Sequence, residues 1–216
     1  MPSILNNVAA LQASRQLGIT ANGMKTTIER LTTGRRINHA SDDAAGLASA
    51  TQFDAQAREA AELRKTQNNN YYASAALDGY LDEATNLVQR LVELAAGNNS
   101  STAEFTAVSS LASAAASAGG VTTLGSITDS ASAKAALNTI STGRQGIAAS
   151  MAAALSNANL YGIQVENFTA QKSNIMDADI GAEVVNLTKW QILSQAGNSA
   201  LGQANQSSQY VLALLR

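Results

Sequence analysis

The side chains that could do chemistry in this chain gather near two points. His39, the only histidine, stands between Arg35-Arg36 and Asp42-Asp43, and a second acidic pair is Asp177 with Asp179. An imidazole beside carboxylates is raw material for general acid–base catalysis or metal ligation. A metal site needs several N, O or S donors converging, and no such group surrounds His39. The four aspartates each stand where a helical pattern begins, so capping and the positive end of the helix dipole account for them. Arg35-Arg36 could hold a phosphate, but neutralising the neighbouring carboxylates is the simpler role. Gly-rich phosphate loops, Walker sequences and Ser-centred nucleophile elbows are absent from the sequence. These residues imply a non-enzyme with no cofactor and no metal.

Composition narrows the classes further. The chain has 216 residues, a formal charge of −2, no cysteine and one proline, Pro2. The charge gives no electrostatic footprint for nucleic acid. Without cysteine there is no disulfide, thiolate nucleophile or sulfur-ligated metal. Aromatics make up 4%, low for filling a globular core. Abundant Ala, Leu, Gln and Asn favour long helices packed closely. The start, Met1 to Asn7, lacks a basic region followed by an apolar run, so no cleavable signal peptide is expected. No stretch approaches the roughly 20 apolar residues of a membrane span.

The elements that must hold these residues are all helical. Residues 2–33 read as an amphipathic helix with a phase change: Ile4, Val8 and Leu11 form one stripe, and Leu17, Met24, Ile28 and Leu31 a second. Gly34 stops it, residues 35–40 connect, and Ser41 or Asp42 caps a helix running to about residue 96. That helix carries the seam Leu77, Leu81, Ala84, Val88, Leu91 and Ala95. Ser101-Thr102-Ala103-Glu104 matches a capping box opening a shorter helix to about Ala118. Residues 119–126 are a loop or minimal hairpin, and Asp129 caps the next long helix. Its stripe alternates 3-4 from Leu137 through Ile140, Arg144, Ile147, Met151 and Ala154 onward to Ile175 without a break. The fold class expected is all-α, a long antiparallel helical coiled-coil bundle with at most a minimal β-hairpin at the tip. Met151 and Tyr161 on this stripe are packing positions rather than cofactor contacts.

The last segment, 177–216, has a narrow seam at Trp190, Leu193, Gly197, Leu201, Ala204, Ser208, Val211 and Leu215. Its other faces hold Asn, Gln, Ser and Ala with little charge. So few large apolar side chains offset the ordering entropy of this segment poorly. It is therefore expected to fray alone and to become ordered against copies of itself or a matching segment. Each end is a sparse helix outside a long one, which places the two ends side by side at the base of the bundle.

At both ends the residues resemble bacterial flagellin. The N-terminal match is Ile28-Glu29-Arg30-Leu31-Thr32-Thr33-Gly34, Arg36-Ile37-Asn38 and Asp42-Asp43-Ala44-Ala45-Gly46. The C-terminal match is Ile175-Met176-Asp177-Ala178-Asp179, Gln191 to Gly197, Gln203-Ala204-Asn205-Gln206 and Val211 to Arg216. The resemblance implies a self-assembling subunit of the flagellar filament, a homopolymer secreted unfolded through the flagellar type III export channel. Residues 1–40 and 177–216 would pair in the filament core, with 41–176 forming the surrounding layer. The outer variable domains would be reduced to the tip loop at about 119–129. Core packing falls to Ile4, Val8, Leu11, Met24, Ile28, Leu31, Trp190, Leu193, Leu201, Val211 and Leu215. An export chaperone would dock around Leu201 to Leu215, with hook–filament junction and cap proteins as further partners. Gln89, Arg90, Glu93 and Leu94 resemble the motif through which a host Toll-like receptor senses many flagellins, with Val92 where the family often has arginine. The alternatives are a hook–filament junction protein of the same family and a secreted ligand of an innate immune receptor.

Overall fold

A computed structural model describes residues 7–97, 102–122 and 124–214, with backbone alone for 207–214. Five helices follow in order: α1 (Val8–Thr33), α2 (Ala44–Ala96), α3 (Ala103–Ala118), α4 (Ser130–Met176) and α5 (Ile180–Leu214). Among the described residues there is no strand, only an isolated antiparallel bridge between Arg35 and Asp177. The molecule is all-α, as the periodicity requires.

Helix ends follow local chemistry closely, with three shifts from the sequence reading. Asn7 caps α1 by accepting from the Ala10 amide at 3.0 Å. Gly34 ends the helix in the left-handed region, φ 69°, where its amide bonds to the Arg30 carbonyl. A Cβ would be strained there, which is why the pattern stops at glycine. The α2 cap is Asp43, accepting from the Gly46 amide at 2.8 Å, and not Ser41 or Asp42. Asp42 instead accepts from the Asn38 and His39 amides at 3.0 and 2.9 Å and so closes the connector. These bonds, that from His39 first, hold its carboxyl below the ordinary range. For α3 the cap is Thr102, which accepts from the Phe105 amide, one residue beyond the expected Ser101, which lies outside the described residues. Asp179 caps α5 through the Ala182 amide, whereas Asp177 accepts a hydrogen bond from the Ser173 hydroxyl and caps nothing.

Asp129 caps α4 as expected, taking the Ser132 amide at 2.8 Å and the Ser132 hydroxyl at 2.7 Å. Those bonds lower its pKa from the ordinary 3.8. The contribution is therefore complete above that ordinary value and disappears as pH falls through the lowered folded value. In Asp129→Ala, amide exchange over Ala131–Ala135 should accelerate at neutral pH and match the parent in strong acid. Equal exchange at neutral pH would show that the cap is idle.

The chain divides into two compact units. Unit 2, residues 55–168, encloses the larger core. The α2 seam buries Leu81, Ala84, Val88 and Leu91 against Phe105, Ala112 and Ala116 of α3 and Ala133, Ala136 and Ile140 of α4. Alanines on α3 and α4 let helix axes approach closely, and the large side chains come mainly from α2. Arg144, on the α4 stripe, reaches back to α2, where its Nε donates to Asp78 at 2.9 Å and its Nη1 to Asp82 at 2.9 Å. Residues 119–129, residue 123 excepted, form a loop in which Val121 lies against Gly143.

Unit 1 comprises residues 1–54 and 169–216. It joins α1 and α5 to the first turns of α2 and the last turns of α4. Its small core is Ile37, Ala50 and Met176, flanked by Leu47 and Ile175. Around this core the backbone is stitched: the Arg36 amide donates to the Met176 carbonyl at 2.6 Å and the Ala178 amide to the Gly34 carbonyl at 3.0 Å. Lys172 meets Asp54 at 2.5 Å, and Arg36 meets Asp43 at 3.6 Å.

Candidate assembly surface

The two terminal helices run antiparallel, and their contacts keep one register along the whole pair. Gly34 and Arg36 meet Ala178 and Met176, Arg30 meets Glu183, Gly23 meets Trp190, Leu17 meets Gly197, and Asn7 meets Ala204. Each step forward along α1 is thus matched by a step back along α5. Two interlocks of large on small fix the fit. A Cβ on Gly23 would lie 2.7 Å from Trp190 Cε2, and one on Gly197 would lie 2.7 Å from Leu17 Cδ2. Only glycine lets these side chains sit directly on the opposing backbone.

Between the interlocks the seam is polar as well as apolar. On α1 it is built from Ala13, Leu17, Thr20, Met24, Thr27 and Leu31, which repeat at the 3-4 helical spacing. Thr20 is buried, and its hydroxyl donates to the Gln16 carbonyl at 2.9 Å. A threonine satisfied within its own helix can occupy a core position. Arg30 Nη1 donates to Glu183 at 3.2 Å, while buried Arg30 Nε has no partner. Antiparallel pairing brings the negative end of α1 beside the positive end of α5, which favours a cation at Arg30 and a carboxylate at Glu183.

The positions named from sequence fall into three groups. Met24, Leu31, Trp190, Leu193 and Leu201 are half-buried within the pair. Val8 (55% exposed), Leu11 (63%) and Ile28 (47%) remain accessible. Ile4 and Leu215 lie outside the described residues, and Val211 is described by its backbone alone. The sequence reading did not pick out Thr20, Thr27 or Glu183, and it named Arg30 only within the flagellin match and not as a seam residue. Of these, only the opposite charges of Arg30 and Glu183 offered any signal. It also passed over Ile19 on α1 and Ile180, Val184, Val185 and Ile192 on α5, all exposed aliphatics. By helical phase Val8, Leu11 and Ile19 share the side of α1 turned away from α5. Val185 and Ile192 lie on the corresponding outer side of α5.

Elsewhere, His39 Nε2 pairs with Glu29 at 2.7 Å. Gln89, Arg90 and Glu93 are exposed on α2, whereas Leu94 belongs to the unit 2 core. Arg90 is held by Glu104 at 3.0 Å and Glu93 at 3.2 Å, bonds that raise its pKa further.

The described chain thus carries a paired terminal stem with aliphatic side chains left on its outside. Residues 4–122 match the bacterial flagellin N-terminal helical region, and residues 131–215 match the bacterial flagellin C-terminal helical region. The chain belongs to the bacterial flagellin family, and it is a structural subunit of the flagellar filament. It is 28% identical to the flagellar filament 30.7 kDa core protein of Treponema maltophilum, over 98% of this chain and 99% of that protein. It is 27% identical to a flagellin of Halalkalibacterium halodurans, over 99% of both chains. Flagellin B of Vibrio cholerae is 37% identical over 46% of this chain and 27% of its own length. The Treponema alignment runs over 282 residues against a chain of 216, so that relative carries segments this one lacks.

Proposed function

We propose that polymerisation of this flagellin is driven by burial of the outer faces of α1 and α5. The observation that carries this reading is the exposure of Val8, Leu11 and Ile19 on one helix and Val185 and Ile192 on the other. Their inward seam is already occupied within the chain, so these aliphatics can be covered only from outside. Each fully buried side chain of this kind contributes about 1.5–3 kcal/mol. Repeated at every subunit, that supports an open helical polymer rather than a closed oligomer. The filament is extracellular, and the subunit reaches it unfolded through the type III export channel. Before export, the stretch Leu201–Leu215 is held by a chaperone, and the filament ends meet junction and cap proteins. Exposed Gln89, Arg90 and Glu93 offer a surface to a host Toll-like receptor, which must compete with Glu93 and Glu104 for the Arg90 guanidinium.

Removing residues 177–216 tests the assembly reading. The truncated chain should remain a soluble monomer at concentrations where the full chain forms long filaments in negative-stain images. Long filaments from the truncation would sink the account of the terminal pair.

A further inference from the structure

Unit 2 carries an open groove of about 450 Å³ between α2 and α4 that the assembly reading above does not use. Arg64 and Asn68 form one wall, and Leu155, Asn159, Ile163 and Glu166 the other. Leu155 and Ile163 are 52% and 54% exposed. The Arg64 stem crosses towards α4, with its Cδ 3.8 Å from where a Gly162 Cβ would stand. Its guanidinium makes no ion pair among the described residues, whereas Arg90 and Arg144 of the same unit are each held by carboxylates. An open cation thus sits level with an exposed isoleucine.

The complement lies further along α2. Tyr80 is 52% exposed, and Glu83, three residues on and so on the same side of the helix, is exposed with no ion pair among the described residues. An aromatic ring beside a free carboxylate matches an aliphatic side chain beside a free guanidinium. Both belong to one continuous helix, α2. The separation from Arg64 to Glu83 is therefore about 28 Å at 1.5 Å per residue, and the ridge cannot reach its own groove. We propose that the groove of one subunit receives the Tyr80–Glu83 ridge of a second copy, with Arg64 paired to Glu83 and Ile163 covered by Tyr80. Two different patches on each subunit make a heterologous contact, the kind that propagates a helical polymer without closing it. This rests on the assembly reading and adds a lateral contact to it, separate from the terminal helices.

Charge exchange tests the contact in the full chain. Arg64→Glu and Glu83→Arg should each raise the concentration needed for filament formation about tenfold, with helicity by circular dichroism unchanged because both side chains are exposed. The double variant should return to within about threefold of the parent. Glu59→Arg, on the same helix and also exposed, should not rescue Arg64→Glu. Parent-like assembly by both single variants overturns the contact, as does a double variant no better than either single or rescue by Glu59→Arg. Absence of filaments from the unaltered chain sinks the assembly reading and this contact with it.

Discussion

Replacing Gly23 with leucine separates α1 from α5. At this position even a Cβ would stand 2.7 Å from Cε2 and 2.8 Å from Cζ2 of Trp190. The indole is a rigid plane, so a whole isobutyl group cannot be accommodated by a small torsion. Either Trp190 leaves its seat or the helix axes move apart. Overpacking of this kind costs about 1–3 kcal/mol, against which the better helix propensity of leucine over glycine returns under about 1 kcal/mol. The net effect falls on a pair with little other large apolar surface, so local separation should follow. The chain has one tryptophan, and its emission reports the event directly. Emission should shift to the red, Lys189 should lose its position 5.5 Å from the ring centroid, and filament formation should fail. Unaltered emission together with normal filaments would mean that Trp190 is not seated on Gly23.

Glu183→Ala should be nearly as damaging for an electrostatic reason. Glu183 is buried at 7% exposure, and it accepts from Arg30 Nη1 at 3.2 Å and Asn186 Nδ2 at 3.5 Å. Arg30 Nε already lacks a partner. Removing the carboxylate leaves a cation in the seam with nothing to offset its desolvation. A fully buried pair broken in this way loses 3–5 kcal/mol, but the Arg30 side chain is 29% exposed. Solvent screening brings the expected loss to about 2 kcal/mol. The double change Arg30→Met with Glu183→Leu removes both charges and keeps the bulk, so it should recover most of that loss. Chemical denaturation followed by Trp190 emission measures all three chains. If the double variant is no more stable than Glu183→Ala, the pair does not act as a unit.

Both predictions concern residues that differ sharply in how visible they are from sequence. Trp190 and Leu193 announce themselves, because large apolar residues at 3-4 spacing on a weakly charged helix have only one face to bury. The α4 stripe behaves likewise, and from Leu137 to Ile175 its members are all buried or half-buried. Alpha1 is different. Four of its large aliphatic side chains, Val8, Leu11, Ile19 and Ile28, are exposed, and Thr20 and Thr27 are buried. Periodicity weighs hydrophobicity, and threonine carries little of it. What qualifies Thr20 for the seam is its size and its hydroxyl bond back to the Gln16 carbonyl, neither of which alters the apolar count. Gly34 could be read as a stop because only a residue without a Cβ takes φ 69° freely. The sequence places the α2 cap at Ser41 or Asp42; that Asp43 caps instead depends on how the connector turns.

The amino-acid order alone therefore settled what depends on neighbours along the chain: the helical periods, the stops, the caps at Asp129 and Asp179 and the likeness to flagellin at both ends. Tertiary structure decided what depends on a partner across space. It chose which side of α1 turns inward, seated Trp190 on Gly23, coupled Arg30 to Glu183 and left Arg64 open in a groove. The reason is that a helix fixes the spacing of its own faces, whereas shape and charge complementarity exist only once a second helix supplies the opposing surface.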